Sequence, residues 1–227
     1  MFAGGYQDPD KHCWLTQEQE SSMSNERITE NLVRDFLREL KYYDDSNEIH
    51  VEEQKSQIVE VKKLLKTASK SGKGGKGSPE FIISTPNTPD FLIVIECKAE
   101  TTKHESTSGD KPKDFAVDGV LHYAKKLSKS YNVIGVAVSG QTKSSLKVSN
   151  FIHPKGSENP KPLTNKSGKL IKKLISLEDF IEHGTFDPDV AKRRRDDLMA
   201  FSRELHDFMR DHAKLTESEK PLMVSGQ

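Results

Sequence analysis

The stretch "SPEFIISTPNTPDFLIVIECKAE" constrains the fold more than any other part of the chain. Its two apolar runs, Phe81–Ser84 and Phe91–Cys97, flank the turn-forming residues "TPNTPD". Short runs rich in β-branched and aromatic residues on either side of such a turn predict a β-hairpin. A hairpin that turns around Thr88 places Glu80 opposite Glu96, so that two carboxylates meet across neighbouring strands.

The remaining segments predict helices and further strands around this hairpin. The sequence pattern predicts helices over 25–40, with Ser24 as the cap, and over 54–70, 114–129, 177–183 and 188–213. It predicts further strands over 131–140 and 146–152. The order helix, helix, strand, strand, helix, strand, strand predicts an α/β or α+β core with a small mixed sheet flanked by helices.

Composition predicts a compact centre with solvated appendages. Of the 227 residues, 33% are hydrophobic and 31% are charged, and the formal net charge is zero. The overall charge therefore gives no nucleic-acid signal, and any basic surface must come from local clustering. We interpret residues 1–23 as a flexible lead-in, 24–186 as the folded domain, and 187–227 as a helix and linker toward a missing downstream domain.

Cysteines, hydropathy and histidines exclude several classes of protein. Cys13 and Cys97 form no CxxC pair and no disulfide framework, which favours a reducing, cytoplasmic location. We find no apolar run long enough for a transmembrane helix and no signal peptide, so we expect no membrane partner. His104, His122 and His153 lack ligand spacing, so a zinc site is not expected.

The sequence Glu96-Cys97-Lys98 ends the second apolar run of the hairpin. The pattern E-x-K carries little information alone, since it also occurs in helical or polar segments at Glu39/Lys41, Glu53/Lys55 and Glu60/Lys62. In a strand, residues i and i+2 share a face, so Glu96 and Lys98 point the same way. The alternative is a strand that simply runs out into water at its end.

The upstream carboxylate has two candidates, Glu80 and Asp90. If residues 90–96 form one strand, Asp90 and Glu96 lie about 20 Å apart, too far to share one ion unless the chain bends. Glu80 lies directly across the hairpin, although a one-residue slip of register would remove it from that face. Asp90 also fits a simple role at the end of the turn.

Two carboxylates and a lysine on one face suit metal-assisted hydrolysis of phosphodiesters. Carboxylates bind Mg²⁺, which polarises a phosphate and activates a bound water. A nearby lysine positions or deprotonates that water and offsets the charge of the transition state. No redox metal or organic cofactor is implied, and we expect Mn²⁺ to substitute for Mg²⁺.

These residues resemble the PD-(D/E)XK nuclease superfamily, and more specifically the N-terminal nuclease domains of type I and fused type II (IIG-like) restriction enzymes that precede an adenine-N6 DNA methyltransferase. The resemblance runs from about residue 28 to about residue 140. Its carriers are "LLKTASKSGKGGKGSPEFII", "PDFLIVIECKAE", "KHES" and "AVDGVLHYAKKLSKSYNVIGVAVSG". It implies a restriction-endonuclease-like core and a partner or downstream methyltransferase and specificity region.

The resemblance also implies roles for individual residues. Glu80 takes the place of the usual upstream Asp, and Glu96 and Lys98 form the E-x-K, while Pro89-Asp90 spells the alternative upstream acid. A glutamate from the first helix often joins such a site, and Glu30 is the candidate here, although an exposed helix glutamate explains it equally well.

One departure from the type I pattern lies in the helix after the E-x-K. Type I relatives often carry Q-x-x-x-Y there, and this chain has Gly119 and Tyr123, so the glutamine is missing. Tyr123 then has a simple packing role as the alternative. The departure weakens the type I assignment more than the nuclease assignment.

A lysine- and glycine-rich segment precedes the hairpin and suits contact with a DNA backbone. The candidate DNA-binding residues are Lys66, Lys70, Lys73 and Lys76. An ordinary lysine-rich loop is the alternative.

We therefore expect a Mg²⁺-dependent endodeoxyribonuclease domain of a restriction–modification enzyme that acts on double-stranded DNA. The alternatives are a catalytically inactive DNA-binding or interaction module with the same fold, and a repair or junction-resolving nuclease. The sequence does not define the oligomeric state.

Overall fold

The computed structural model describes residues 17–70, 75–185 and 188–212. The chain divides into two compact units, residues 1–181 and residues 182–227. The first unit contains the sheet and the helices that pack on it, whereas the second contains a long C-terminal helix.

The elements alternate between helices and strands along the chain. In order they are α1 (Gln17–Glu39), β1 (His50–Glu53), α2 (Val59–Leu65), β2 (Phe81–Ser84), β3 (Phe91–Lys98), α3 (Ala116–Leu127), β4 (Asn132–Ser139), β5 (Lys147–His153), β6 (Lys161–Pro162), α4 (Leu177–Thr185) and α5 (Pro188–His212). Short 3₁₀ turns lie at Asp45–Asn47 and Thr101–Lys103.

The six strands form one mixed sheet in the order β1-β2-β3-β4-β5-β6. Strands β3 and β4 are parallel, with α3 as the crossover between them, and every other neighbouring pair is antiparallel. The predicted fold class is confirmed, because a small mixed sheet flanked by helices is consistent with a restriction-endonuclease-like fold.

Apolar residues cover both faces of this sheet. One face packs against α1 through Val33 and Leu37 and against α4 through Phe180. The other face packs against α2 through Val61 and against α3 through Val120. A strand that is buried on both faces reads as a continuous apolar run, which explains the composition of β3.

The hairpin has the predicted register. Phe81 pairs with Ile95 and Ile83 pairs with Ile93, while the N–H of Phe91 donates to the carbonyl of Thr88 at 3.0 Å where the turn closes. The alternation of side chains in β2 and β3 thus follows from a turn set by prolines and an asparagine.

Three details of the predicted elements are wrong. Helix α1 begins at Gln17, so Ser24 lies inside it and is not its cap. Helix α2 runs only from Val59 to Leu65, so it is much shorter than the predicted helix over 54–70. The polar edge strand β1 has no apolar alternation and was not predicted.

The second unit has an amphipathic helix, α5, whose apolar residues Leu198, Phe201 and Phe208 are each more than half exposed. Within the described ranges, none of the helices combines the length and the apolar character needed to cross a membrane.

Candidate active site

The candidate site lies where β3 and β4 end. Because these strands are parallel, their carboxyl ends meet at one edge of the sheet, the usual position of a binding crevice in an α/β protein. Glu96 and Lys98 lie in the last three residues of β3, and Lys98 pairs with Ser139 at the end of β4. Glu80 reaches the same edge from the start of β2.

Glu96 and Lys98 share a face, as a strand requires. The Nζ atom of Lys98 lies 3.6 Å from Oε1 of Glu96. Glu96 is 0% exposed and Lys98 is 7% exposed, so the alternative of a strand that runs out into water is wrong. Buried charges of this kind persist only when they are paired.

Helix α1 supplies a second carboxylate to Lys98. Oε1 of Glu26 accepts a hydrogen bond from Nζ of Lys98 at 2.9 Å. The buried hydroxyl of Thr29 donates to the carbonyl of Gly140 at 2.8 Å, which fixes α1 against the end of β4. The inward face of α1 therefore changes from apolar to polar as it reaches the site.

Sequence reasoning named Glu30 and missed Glu26. The two lie four residues apart and share one side of α1. Burial raises the pKa of Glu30, and the charge of Glu26 raises it further, so Glu30 lies within the field of the cluster. The helical spacing of the two glutamates was the signal that could have identified the pair.

Lys70 enters the site from the segment after α2. Its ammonium forms a hydrogen-bonded ion pair with Oε1 of Glu96 and lies 5.5 Å from the ring centroid of Tyr123. The contact of Lys70 with DNA, expected from the sequence along with its neighbours, stays a prediction. The structure gives Glu96 two lysine partners, Lys70 and Lys98.

Both lysines keep their positive charge in this arrangement. Burial alone would favour the neutral amine, but the charges of Glu96 and Glu26 together outweigh it, so the pKa of Lys98 lies above its usual value. The same balance raises the pKa of Lys70. Lys98 is therefore protonated at neutral pH, which suits charge compensation better than removal of a proton from water.

Glu80 stands beside Glu96 at the entrance to β2. Its N–H donates to the carbonyl of Ile95 at 3.1 Å, which keeps it against β3. Burial, with the negative charges of Glu96 and Glu30, raises the pKa of the Glu80 carboxyl to about 7. Like charges that raise a carboxyl pKa mark a place where a cation would be stabilised.

The donor set fits a divalent cation. Oε2 of Glu96 is buried and has no hydrogen-bond partner, and Glu80 offers a second carboxylate that its neighbours destabilise when it is charged. Carboxylate oxygens are the ligands that Mg²⁺ prefers. Among the described residues, however, no three His, Cys, Asp or Glu side chains form a metal-binding group by themselves. An ion here would be held chiefly by Glu80 and Glu96.

Asp90 lies at the opposite end of the hairpin from this cluster. It is exposed immediately before β3, and its carbonyl accepts a hydrogen bond from the N–H of Asn132 at 2.8 Å. Six steps along an extended chain separate its Cα atom from that of Glu96, a distance of about 20 Å. The structure therefore brings Glu80, and not Asp90, next to the E-x-K.

The other candidate DNA-binding lysines differ in position. Lys66 is the exposed C-cap of α2, and Lys76 is exposed shortly before the hairpin. Lys73 lies outside the described residues. The two exposed lysines stand on either side of Lys70 in sequence, so the segment that reaches Glu96 also presents positive charge to solvent.

Gly119 explains why this chain lacks the glutamine of the type I pattern. A Cβ atom at Gly119 would lie 2.9 Å from the carbonyl oxygen of Pro112 and 3.1 Å from Cγ of Glu96. Helix α3 therefore packs its backbone directly on the glutamate. Tyr123, one turn later, is buried, and its hydroxyl accepts a hydrogen bond from the N–H of Ser78 at 3.2 Å.

The histidines have structural partners. The two ring nitrogens of His104 lie 2.8 Å and 2.9 Å from the hydroxyls of Ser139 and Ser149, so His104 ties the loop after β3 to β4 and β5. A ring nitrogen of His122 lies 3.2 Å from the carbonyl of Ala68.

Comparison with known proteins places the chain near a restriction enzyme. No protein-family model and no solved structure matches it. A curated relative is the Type II restriction enzyme and methyltransferase RM.BcgI of Heyndrickxia coagulans, with 26% identity over 226 residues. The match covers 89% of this chain and 32% of the relative, so the chain spans about a third of that protein's length. The chain is therefore similar to one part of a protein that combines a restriction enzyme with a methyltransferase.

Proposed function

We propose that this chain is a Mg²⁺-dependent DNA endonuclease domain of the PD-(D/E)XK type, belonging to a restriction–modification enzyme with an adenine-N6 methyltransferase region. The observation that carries the proposal is the cluster of Glu80, Glu96 and Lys98 at the edge of the sheet where β3 and β4 end and β2 begins. The similarity to a restriction enzyme supports the substrate class, double-stranded DNA.

Each side chain has a defined part in this proposal. Glu80 and Glu96 hold the divalent ion, which on binding polarises the scissile phosphate and activates water. Lys98, protonated and fixed by Glu26, faces the charge that develops on the phosphate. Lys66 and Lys76 contact the DNA backbone without reading its sequence.

Plasmid cleavage with Mg²⁺ or Mn²⁺ tests the assignment. We expect Glu96→Gln and Lys98→Met each to lower the cleavage rate at least about a hundredfold, the scale on which a single transition-state contact contributes. Asp90→Asn is the matched control, since it removes an acidic charge from the same hairpin at its other end. Cleavage that survives both Glu96→Gln and Lys98→Met refutes the proposal.

The same panel decides which acid completes the site. We expect Glu80→Gln to abolish Mn²⁺ binding in calorimetry and Asp90→Asn to leave it unchanged. The reverse result would assign the upstream position to Asp90 and require a bend in β3. Nicked, branched and linear duplexes compared under one condition separate a restriction activity from a repair or junction-resolving one.

One observation favours the alternative of an inactive DNA-binding module. Glu96 is completely buried and bonded to lysine, so neither an ion nor a phosphate reaches it in this arrangement. An inactive module binds DNA with the same affinity whether or not Mg²⁺ is present, and binds no divalent ion in calorimetry. A nuclease binds the ion, which requires one of the covering side chains to move.

A further inference from the structure

Glu96 is completely buried, so a metal ion can reach its carboxylate only if a side chain that covers it moves away. The carboxylate is covered on one side by the backbone of α3 at Gly119, which packs against its Cγ and Cδ atoms. Two lysines approach from elsewhere, and Lys98 is itself held by Glu26 at 2.9 Å. The ammonium of Lys70 also covers the carboxylate, through its ion pair with Oε1.

Lys70 differs from Lys98 in how firmly it is held. The side chain of Lys98 is 8% exposed and has two carboxylate partners, Glu26 and Glu96. The side chain of Lys70 is 19% exposed, and its ion pair is with Glu96. Its ammonium also lies 5.5 Å from the centroid of the Tyr123 ring, a weaker attraction. Lys70 is therefore the cover nearer to solvent.

We propose that Lys70 is a placeholder cation, which neutralises Glu96 when no metal is bound and exchanges with the divalent ion. The inference rests on the proposed function, since it assumes a metal site at Glu80 and Glu96. It follows from the ion pair of Lys70 with Oε1 of Glu96, the absence of any partner for Oε2, and the complete burial of that carboxylate. A buried carboxylate without a cation would be strongly destabilising.

The exchange makes lysine and metal competitors for one carboxylate. Removing the lysine charge must therefore strengthen metal binding, whereas a lysine that helps to build the metal site would weaken metal binding when removed. The two roles predict changes of opposite sign in the affinity for metal when the lysine charge is removed. A measurement of metal affinity therefore distinguishes them, and no measurement of cleavage is needed.

The experiment is calorimetric titration of Mn²⁺ into the whole chain without DNA. We expect Lys70→Met to bind Mn²⁺ about tenfold more tightly, because a hydrogen bond to a charged group no longer has to be broken. The matched control is Lys143→Met, which removes a lysine bonded to Glu39 at 2.7 Å with both side chains more than half exposed. Its affinity for Mn²⁺ should equal that of the wild type.

A second variant keeps the test valid if Lys70→Met does not fold. Lys70→Arg retains the charge and adds a planar fork that matches a carboxylate, so we expect it to bind Mn²⁺ several-fold more weakly. Thermal melts give an independent readout. Without metal Lys70→Met should melt below the wild type, and saturating Mn²⁺ should raise its melting temperature more than that of the wild type.

The outcomes separate this inference from the proposed function. If the wild type binds Mn²⁺ and cleaves DNA but Lys70→Met binds no tighter and Lys70→Arg no weaker, the placeholder role is wrong and the nuclease assignment stands. If a folded wild type and a folded Lys70→Met both bind no Mn²⁺, both proposals fail.

Discussion

The ionisation of Glu80 should make the stability of the metal-free chain depend on pH. The pKa of its carboxyl is about 7 in the folded chain, against an ordinary value of 4.5. Both states are protonated below pH 4.5, and above that pH the unfolded state loses its proton first. The stability contributed by this group is therefore fully present at low pH and is lost as pH rises through about 7.

The size of the effect follows from the same two values. Between pH 5 and pH 8 the free energy of unfolding falls by about 2.5 kcal/mol relative to that of a chain with no titrating group at this position. Glu80→Gln removes the titration, so the variant should gain stability over the wild type by about that amount across the interval. At pH 5 the difference should be within about 1 kcal/mol of its low-pH limit.

Urea unfolding at pH 5, 6, 7 and 8, with a chelator present, measures this difference provided that the transition is two-state. Asp90→Asn is the control, because its carboxylate is exposed at the far end of the hairpin. Parallel stability profiles for the wild type and Glu80→Gln would refute the reasoning, since they would show that burial and the charges of Glu96 and Glu30 do not raise the pKa of the Glu80 carboxyl.

Three further outcomes test other parts of the structure. Gly119→Ala should cost about 1–3 kcal/mol in urea unfolding and lower cleavage, because the new methyl group overlaps a backbone carbonyl and presses on Glu96. Thr29→Val should lower the free energy of unfolding by about 1–2 kcal/mol, because the buried carbonyl of Gly140 loses the hydrogen bond that the Thr29 hydroxyl donates. Burial raises the pKa of the Cys97 thiol, so in a Cys13→Ser background a thiol reagent should label the chain only after unfolding.

The hairpin and its register could be predicted from sequence because the signals there are local. Turn residues fix where the chain reverses, and every pair along β2 and β3 follows from that one point. Helix α3 and strand β4 were equally clear, since each has a sustained apolar period. The parallel pairing of β4 with β3 places the carboxyl ends of these two strands together.

The contacts that Lys70 and Glu26 make with residues of β3 could not be predicted in the same way. Lys70 is one lysine of a lysine-rich segment, and the feature that makes it different is its contact with Glu96, which lies 26 residues further along the chain. Glu26 contacts Lys98 across 72 residues. Strand β1 was missed because an edge strand with one polar side needs no apolar alternation.

The bare backbone at Gly119 has a consequence for how this site can change in evolution. Oε2 of Glu96 has no partner here, and a glutamine amide at position 119 could donate to that oxygen only if α3 moved away from the carbonyl of Pro112. Position 119 and position 70 are thus two routes to holding one carboxylate. We expect homologous chains to covary at these positions, with glutamine at the first accompanied by a short or uncharged residue at the second.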